Sequence, residues 1–266
     1  MDTEESPHSA QSGQAAVESA LTLPLLVFLI LGTLQLFMML QGRIMAEYAA
    51  FEAVRAGSRQ HGNCTPMIHA AMAALLPTVE PFVRPGGTPA QQLADAWAVR
   101  LGANVRDNPV PQYEPGRDRG HDGPVFWMVR EQPRTVSLNE KEDLDFDTPT
   151  GDGSSARRLE VRLIYWYRLR IPFADWVMSR MMLAHLGLQD YNAVNPIMVT
   201  DKDAGWTKEV EQVVNLDLQV REELVQRVMA GQYVFPIQAT YGMRMMTPAR
   251  KVYFEQQNCQ PTPEGL

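Results

Sequence analysis

The longest apolar stretch of the chain lies near its N-terminus. Residues 19–42, between Glu18 and Arg43, carry no charge, and residues 21–40 are almost wholly apolar. About twenty helical residues at 1.5 Å each span roughly 30 Å, the thickness of a bilayer's hydrocarbon core. The alternative, a buried helix of a soluble protein, rarely stays free of charge for so long. We therefore predict a transmembrane helix, and since no second such stretch exists, the chain crosses a membrane once at most.

The pattern beyond the span predicts that this helix continues. Residues 44–54 are mostly good helix formers, and the first breaks come at Gly57 and at Gly62-Asn63. A helix from residue 14 to about residue 59 would be roughly 70 Å long, half of it in the membrane and half of it the spine of an external domain. The predicted division is a leader (1–13), the transmembrane and spine helix (14–60), and an extracytoplasmic α+β domain with irregular loops (61–266).

Alternating apolar and polar positions predict a small, mainly antiparallel sheet. Residues 159–171 form the clearest strand, residues 233–245 should pair with it, and residues 125–130 form a third strand. The apolar face of the clearest strand carries Leu159, Val161, Leu163, Tyr165, Tyr167, Leu169 and Ile171. Its other face carries Glu160, Arg162, Arg168 and Arg170.

Flanking helices complete the predicted α+β fold. One covers residues 67–76 and ends at Pro77, and a second covers residues 89–105 after a capping box formed by Thr88 and Gln91. Two more are predicted at 173–186 and 207–229, and loops at 84–87, 106–123 and 141–155. The apolar positions assigned to the last two helices are Trp176, Val177, Met181 and Leu183, and then Val210, Val213, Val214 and Leu218.

Composition and charge exclude some classes of function. A hydrophobic content of 45% with 21% charged residues excludes global disorder. Twenty-four basic against 31 acidic residues give a net charge of −7. Nucleic acid is therefore not an expected partner, because its binding needs a basic surface.

The junction before the span has an ordered pattern: Gly13-Gln14-Ala15-Ala16-Val17-Glu18, a Leu-rich run, and an early Pro24. A secretory signal peptide would begin with basic residues and carry a shorter apolar region. Together with Ala49-Ala50-Phe51-Glu52-Ala53-Val54-Arg55-Ala56-Gly57, the pattern resembles TadE-like proteins of the tight-adherence (Flp) pilus assembly system. The resemblance covers residues 11–58, and it implies a pilin-like domain on the long helix.

The resemblance also implies how the N-terminus is used. A prepilin peptidase would cleave between Gly13 and Gln14, and the Glu18 carboxylate would pair with the new amino group of a neighbouring subunit. Alternatively, Glu18 lies hydrated at headgroup depth in the first helical turn, where the helix dipole favours an anion. Pro24 should bend the helix, either to allow stretching during extraction from the bilayer or as a tolerated membrane proline.

Two positions depart from the family pattern. Ser19 stands where an aromatic residue often follows the glutamate, and no basic residue precedes Gly13. The flank beyond the span carries Arg43, Arg55 and Arg59, which by the positive-inside rule alone would place the domain in the cytoplasm. The motif instead predicts a single-pass protein of the bacterial inner membrane with a periplasmic domain.

Both cysteines, Cys64 and Cys259, lie on the same side of the span. On an oxidising side they could form a disulfide between the end of the spine and the C-terminal tail. Two buried free thiols are the alternative.

No catalytic or metal motif is recognisable. The five histidines lack metalloprotease or zinc-finger spacing, and no Walker loop, dinucleotide fingerprint or serine elbow occurs. Asp143, Asp145, Asp147 and Asp152 resemble a calcium loop, but Thr148 stands at the glycine position and the closing glutamate is missing, which favours a solvated loop. Trp97, Trp127, Trp166 and Trp206 are assigned to the core.

The sequence therefore predicts no enzyme and no cofactor. The resemblance implies a minor pilin-like subunit of a Flp-type pilus or related secretion machinery, with other pilin-like subunits and pilus assembly proteins as partners. The alternative is an uncleaved bitopic membrane protein whose periplasmic domain binds a partner or ligand.

Overall fold

The computed structural model describes residues 9–79, 88–104, 123–135, 138, 157–185 and 217–266. Several predicted features lie outside these residues: the first part of the leader, nearly all of the three predicted loops, the calcium-like aspartates, Trp206, and the first half of the helix predicted over 207–229.

The described residues form five α-helices, three strands and one 3₁₀ helix. The helices are α1 (Ser9–Arg59), α2 (Cys64–Val79), α3 (Pro89–Asn104), α4 (Ala174–His185) and α5 (Leu218–Met229). The strands are β1 (Phe126–Gln132), β2 (Arg158–Arg168) and β3 (Val234–Arg244), and the 3₁₀ helix covers Lys251–Phe254. The predicted fold class, α+β with one long apolar N-terminal helix, is confirmed.

The three strands form one antiparallel sheet in the order β1-β2-β3. The predicted pairing of the last strand with the clearest one is confirmed: Leu163 is paired with Ala239 and Tyr165 with Ile237. The sheet is covered on both faces because its side chains alternate between two apolar clusters.

The first apolar cluster contains the predicted apolar face of β2. Five of its members, from Leu159 to Tyr167, are at most 4% exposed, and they pack with side chains of α1 and α2. The second cluster lies on the opposite face, where Ile164 and Trp166 are buried with α5 and with Trp127 of β1. The two indole rings meet edge to face at 5.1 Å. This face of β2 is therefore apolar at its centre. The sequence pattern had assigned only charged residues to it.

Helices α2 and α3 differ from their predictions only at their ends. Helix α2 begins at Cys64 and continues through Pro77 to Val79. Pro77 lies in its last turn, where it removes the helical donor to the carbonyl of Ala73. The next residue, Thr78, donates its hydroxyl to the carbonyl of Leu75 at 2.6 Å. The capping box of α3 is confirmed, because the Thr88 N–H donates to Gln91 Oε1 at 3.1 Å and the Gln91 N–H to Thr88 Oγ1 at 3.4 Å.

The buried faces of α4 and α5 were partly mispredicted. Leu183 of α4 is buried, but Trp176 and Met181 are exposed because α4 turns Ala174 and Met178 toward the core instead. Leu218 is 70% exposed because it is the first residue of α5, and the helix buries Val220, Leu224 and Val228.

Candidate assembly helix and its contacts with the domain

The N-terminal half of α1 presents apolar side chains to its surroundings. Its most apolar 18-residue window has a mean hydropathy of 2.3, and only 6% of that window is buried. A core helix of a soluble protein would be buried over most of such a window. Among the described residues this is the one helix long and apolar enough to cross a membrane, and it fits a single-pass membrane protein.

The residues predicted to act in processing and assembly all lie on this half of α1. Gly13 and Gln14 are within the helix, which begins at Ser9, and Glu18 is exposed. The helix also continues through Pro24. Because proline has no backbone N–H, the carbonyl of Ala20 lacks its helical donor there.

The C-terminal half of α1 packs on the sheet through small residues. Four alanines and one valine are fully buried: Ala46, Ala49, Ala50, Ala53 and Val54. Gly42 and Gly57 extend this small-residue surface at both ends, and a β-carbon at Gly57 would lie within 3 Å of Met67 and Leu159 side-chain atoms. Small side chains let the helix axis approach the sheet closely. This packing is a physical reason for the alanines and the glycine in residues 49–57.

A polar contact joins the apolar half of α1 to the domain. The side chain of Gln35 is fully buried, and its Oε1 accepts the backbone N–H groups of Arg170 at 3.1 Å and Ile171 at 3.0 Å. About two turns earlier, the Phe28 ring meets the Phe173 ring edge to face at 5.8 Å. The loop between β2 and α4 is thus attached to α1 well inside the charge-free stretch.

Sequence reasoning did not identify the role of Gln35. It is the one amide side chain within residues 19–40. A lone amide in an apolar span indicates a hydrogen-bond partner, because burying an amide without one costs free energy. That signal indicates a contact, but not which segment provides it.

One side of α1 remains exposed from the end of the apolar stretch to beyond Arg43. Leu36, Leu40, Ile44 and Tyr48, spaced four residues apart, are each between 49% and 58% exposed. Residues at this spacing share one face of a helix. We call this face the apolar stripe, and it continues past Arg43, the first charge after the span.

The two cysteines come together where the spine helix ends. Cys64 begins α2, and the structure joins it to Cys259 by a disulfide across 195 residues. Cys259 also pairs with Met128 of β1 through an isolated bridge. The C-terminal tail is therefore attached to both α2 and the edge of the sheet.

Arg130 holds the same tail through hydrogen bonds that the sequence did not predict. Its buried guanidinium donates to the carbonyls of Gly62, Tyr253, Gln256 and Gln257, and it lies 4.0 Å from the centre of the Phe254 ring. Burial lowers the pKa of Arg130 to about 10, an effect that the nearby Glu264 carboxylate opposes. The group remains a cation at neutral pH, and its surroundings give it a structural role.

Beside the disulfide lies an open cavity of about 800 Å³ between α2, α3 and the tail. Its lining includes His69, Leu101, Arg130 and Tyr253. Among the described residues, no group of three or more His, Cys, Asp or Glu side chains could hold a metal ion.

Comparison with known proteins places the resemblance on the N-terminal helix. No curated protein and no solved structure gives a significant match to the chain. The TadE-like protein family model matches residues 13–55, which include the junction, the span and the small-residue segment. The resemblance seen in the sequence is thereby confirmed over the N-terminal helix, and it associates the chain with a structural, pilus-related family rather than an enzymatic one.

Proposed function

We propose that this chain is a minor pilin-like subunit of a Flp-type (tight-adherence) pilus or a related secretion machinery. Helix α1 inserts it into the bacterial inner membrane, and a prepilin peptidase cleaves it after Gly13. The apolar stripe of α1 is the observation that carries this proposal, since it offers a surface for other pilin-like helices.

The length of the exposed apolar surface exceeds what a lipid anchor needs. From Leu21 to Tyr48, both exposed, the helix rises about 40 Å, whereas the hydrocarbon core is about 30 Å thick. Large exposed apolar surfaces outside the membrane mark interaction sites. The outer part of the stripe therefore favours packing against helices of neighbouring subunits.

Glu18 lies at the other end of this surface. An acid at the edge of the hydrocarbon costs a few kcal/mol when it has no partner. In the proposed assembly its carboxylate pairs with the amino group of Gln14 on a neighbouring cleaved subunit, which sets the axial register of the two helices. Because the Gly13–Gln14 bond lies within the helix, the peptidase must unwind the first turns before cleavage.

The disulfide supports a periplasmic domain. Cys64 and Cys259 are paired in the structure, and disulfides persist in the periplasm but are rare in the bacterial cytoplasm. A periplasmic domain agrees with the family resemblance. It disagrees with the positive-inside rule, which from the arginines beyond the span alone would place the domain in the cytoplasm.

A second candidate function is supported by the cavity between α2, α3 and the tail. Its volume of about 800 Å³ is within the range of small-molecule sites. In that case the chain would be an uncleaved bitopic membrane protein whose periplasmic domain binds a ligand or partner. The state of the N-terminus separates the two candidates.

The first test is N-terminal sequencing of the protein purified from membranes. The pilin-like function predicts a chain that starts at Gln14, whereas a start at Met1 or Asp2 would support the uncleaved alternative.

The second test measures incorporation into pili. Glu18→Ala should leave membrane insertion and cleavage intact but lower incorporation at least about tenfold, which corresponds to a pairing worth ~1.4 kcal/mol. Ser19→Ala, at the neighbouring exposed position, is the matched control. Normal incorporation of Glu18→Ala would refute the pairing.

The stripe is tested separately by Ile44→Ser. Its control is Val99→Ser on α3, since Ile44 and Val99 are 58% and 61% exposed. Only the change on α1 should reduce incorporation at equal amounts of membrane-inserted protein. Equal incorporation of the two variants would contradict an assembly role of the stripe.

A further inference from the structure

The segment that follows β2 exposes large apolar side chains beside the transmembrane half of α1. Phe173, Trp176 and Met181 are 55%, 48% and 65% exposed. Trp176 and Met181 belong to α4, and Phe173 immediately precedes this helix, with a φ of 72°. We call these three residues the interfacial surface. Leu183, near the C-terminal end of α4, is buried in the domain, so α4 carries both buried and exposed large apolar side chains.

The contacts of this segment fix its height along α1. Phe173 meets the ring of Phe28, and the two residues before Pro172 donate to Gln35. Phe28 precedes Arg43, the first charge beyond the span, by fifteen residues, or about 22 Å of helix. The segment therefore lies where α1 itself is still free of charge.

The height of these contacts also places the edge of the hydrocarbon. From Glu18 to Gln35 the helix rises about 25 Å, close to the hydrocarbon thickness of about 30 Å. A bilayer that began near Glu18 would thus end near Gln35, level with the loop between β2 and α4. Phe28 lies seven residues, about 10 Å, inside that edge, so Phe173 reaches into the hydrocarbon while the loop that carries it lies at the boundary with the headgroups.

The chemistry of the segment fits this boundary. Tryptophan and other aromatic side chains concentrate at membrane interfaces, where the ring contacts both acyl chains and headgroups. Residues 168–180 carry three arginines and one aspartate, Asp175. The arginines, Arg168, Arg170 and Arg180, are exposed and would attract anionic headgroups.

We propose that the interfacial surface inserts at the boundary between headgroups and acyl chains on the domain side of the bilayer and binds anionic phospholipid. The domain would then be held by two attachments, α1 and α4, which restrict its tilt relative to the membrane. This proposal rests on membrane insertion of α1 but not on cleavage or pilus assembly.

The test uses the full-length protein in nanodiscs that hold one chain each, so that no second copy can cover the surface. The discs contain phosphatidylethanolamine and phosphatidylglycerol with brominated acyl chains. Single cysteines replace Trp176, Leu25 and Val252 and carry an environment-sensitive fluorophore, with the signal of the unsubstituted protein as the blank. Leu25 is exposed within the span, and Val252 is 62% exposed in the 3₁₀ helix near the far end of α1.

Brominated lipid should quench the label at Trp176→Cys to within about twofold of the label at Leu25→Cys, and should leave Val252→Cys unquenched. Quenching of Trp176→Cys as weak as that of Val252→Cys would overturn the proposal and favour a protein partner on this surface. If Leu25→Cys also escaped quenching, membrane insertion itself would fail, and the proposal with it.

Discussion

Gly42 of α1 packs directly on the ring of Tyr167 of β2. A β-carbon at position 42 would lie 2.5 Å from Cδ2 of Tyr167 and 2.7 Å from its Cε2. The tyrosine ring is 4% exposed and belongs to the first apolar cluster, so it has little room to move. The close packing of the spine helix on the sheet at this point therefore depends on the absence of a side chain at Gly42.

Gly42→Ala should destabilise the domain by roughly 1–2 kcal/mol. Overpacking a core costs about 1–3 kcal/mol, and the higher helix propensity of alanine returns at most ~1 kcal/mol of it. Denaturant unfolding in detergent measures the difference.

Gly102→Ala in α3 is the control, because no atom outside its own helix lies within 4 Å of the added β-carbon. It should be neutral or slightly stabilising. If both variants were equally stable, the close approach at Gly42 would not limit the packing of α1.

Gln35→Leu should detach the loop between β2 and α4 from α1. The backbone N–H groups of Arg170 and Ile171 would lose their acceptor, and an unsatisfied buried donor costs roughly 1–3 kcal/mol. Amide hydrogen exchange at these two residues should accelerate at least about tenfold, since tenfold corresponds to ~1.4 kcal/mol.

Gln41→Leu replaces an exposed glutamine on the same helix and should leave exchange at both amides unchanged. Equal exchange in the two variants would show that the loop is held by other contacts.

The sequence predicted the parts of this fold that depend on local periodicity. The strand β2 was identified because its apolar positions alternate over more than ten residues. The start of α3 was located by the capping-box pattern of Thr88 and Gln91, whose reciprocal hydrogen bonds the structure contains. The long helix followed from the length of the charge-free stretch. Each of these signals lies within one element.

Long-range contacts were beyond the same reasoning. The acceptor role of Gln35 depends on a loop 135 residues later in the chain. The acceptors of Arg130 are backbone carbonyls, which every residue has, so the sequence does not distinguish them. The outward orientation of Trp176 was missed for another reason. An apolar face of a helix fits a lipid boundary as well as a protein core.

Arg130→Met should loosen the C-terminal tail. The variant has an apolar side chain of similar length but lacks the donors to the carbonyls of Gly62 and the tail. Each carbonyl that is left buried without a hydrogen-bond donor costs roughly 1–3 kcal/mol. We expect a loss of about 3 kcal/mol in unfolding free energy and faster amide exchange over residues 253–259.

Arg130→Lys keeps the charge but not the planar set of donors, so it should recover only part of the loss. Arg244→Met, at an exposed strand position, is the control and should change stability by less than about 0.5 kcal/mol. If Arg130→Met also lowered the unfolding free energy by less than about 0.5 kcal/mol, Arg130 would not hold the C-terminal tail.

Reduction of the disulfide between Cys64 and Cys259 should lower the thermal unfolding temperature of the protein. The bond closes a loop of 195 residues, and in the entropic account it restricts the unfolded chain by up to about 5 kcal/mol. The domain should remain folded, because Arg130 and the side chain of Asn258, which accepts the Arg130 N–H at 3.3 Å, still hold the tail. Thermal unfolding with and without reductant measures the effect.

The double variant Cys64→Ala/Cys259→Ala should match the reduced protein and should not respond to reductant. Two thiols that can be alkylated in the native, unreduced protein would show that the bond does not form, and would remove its support for a periplasmic domain.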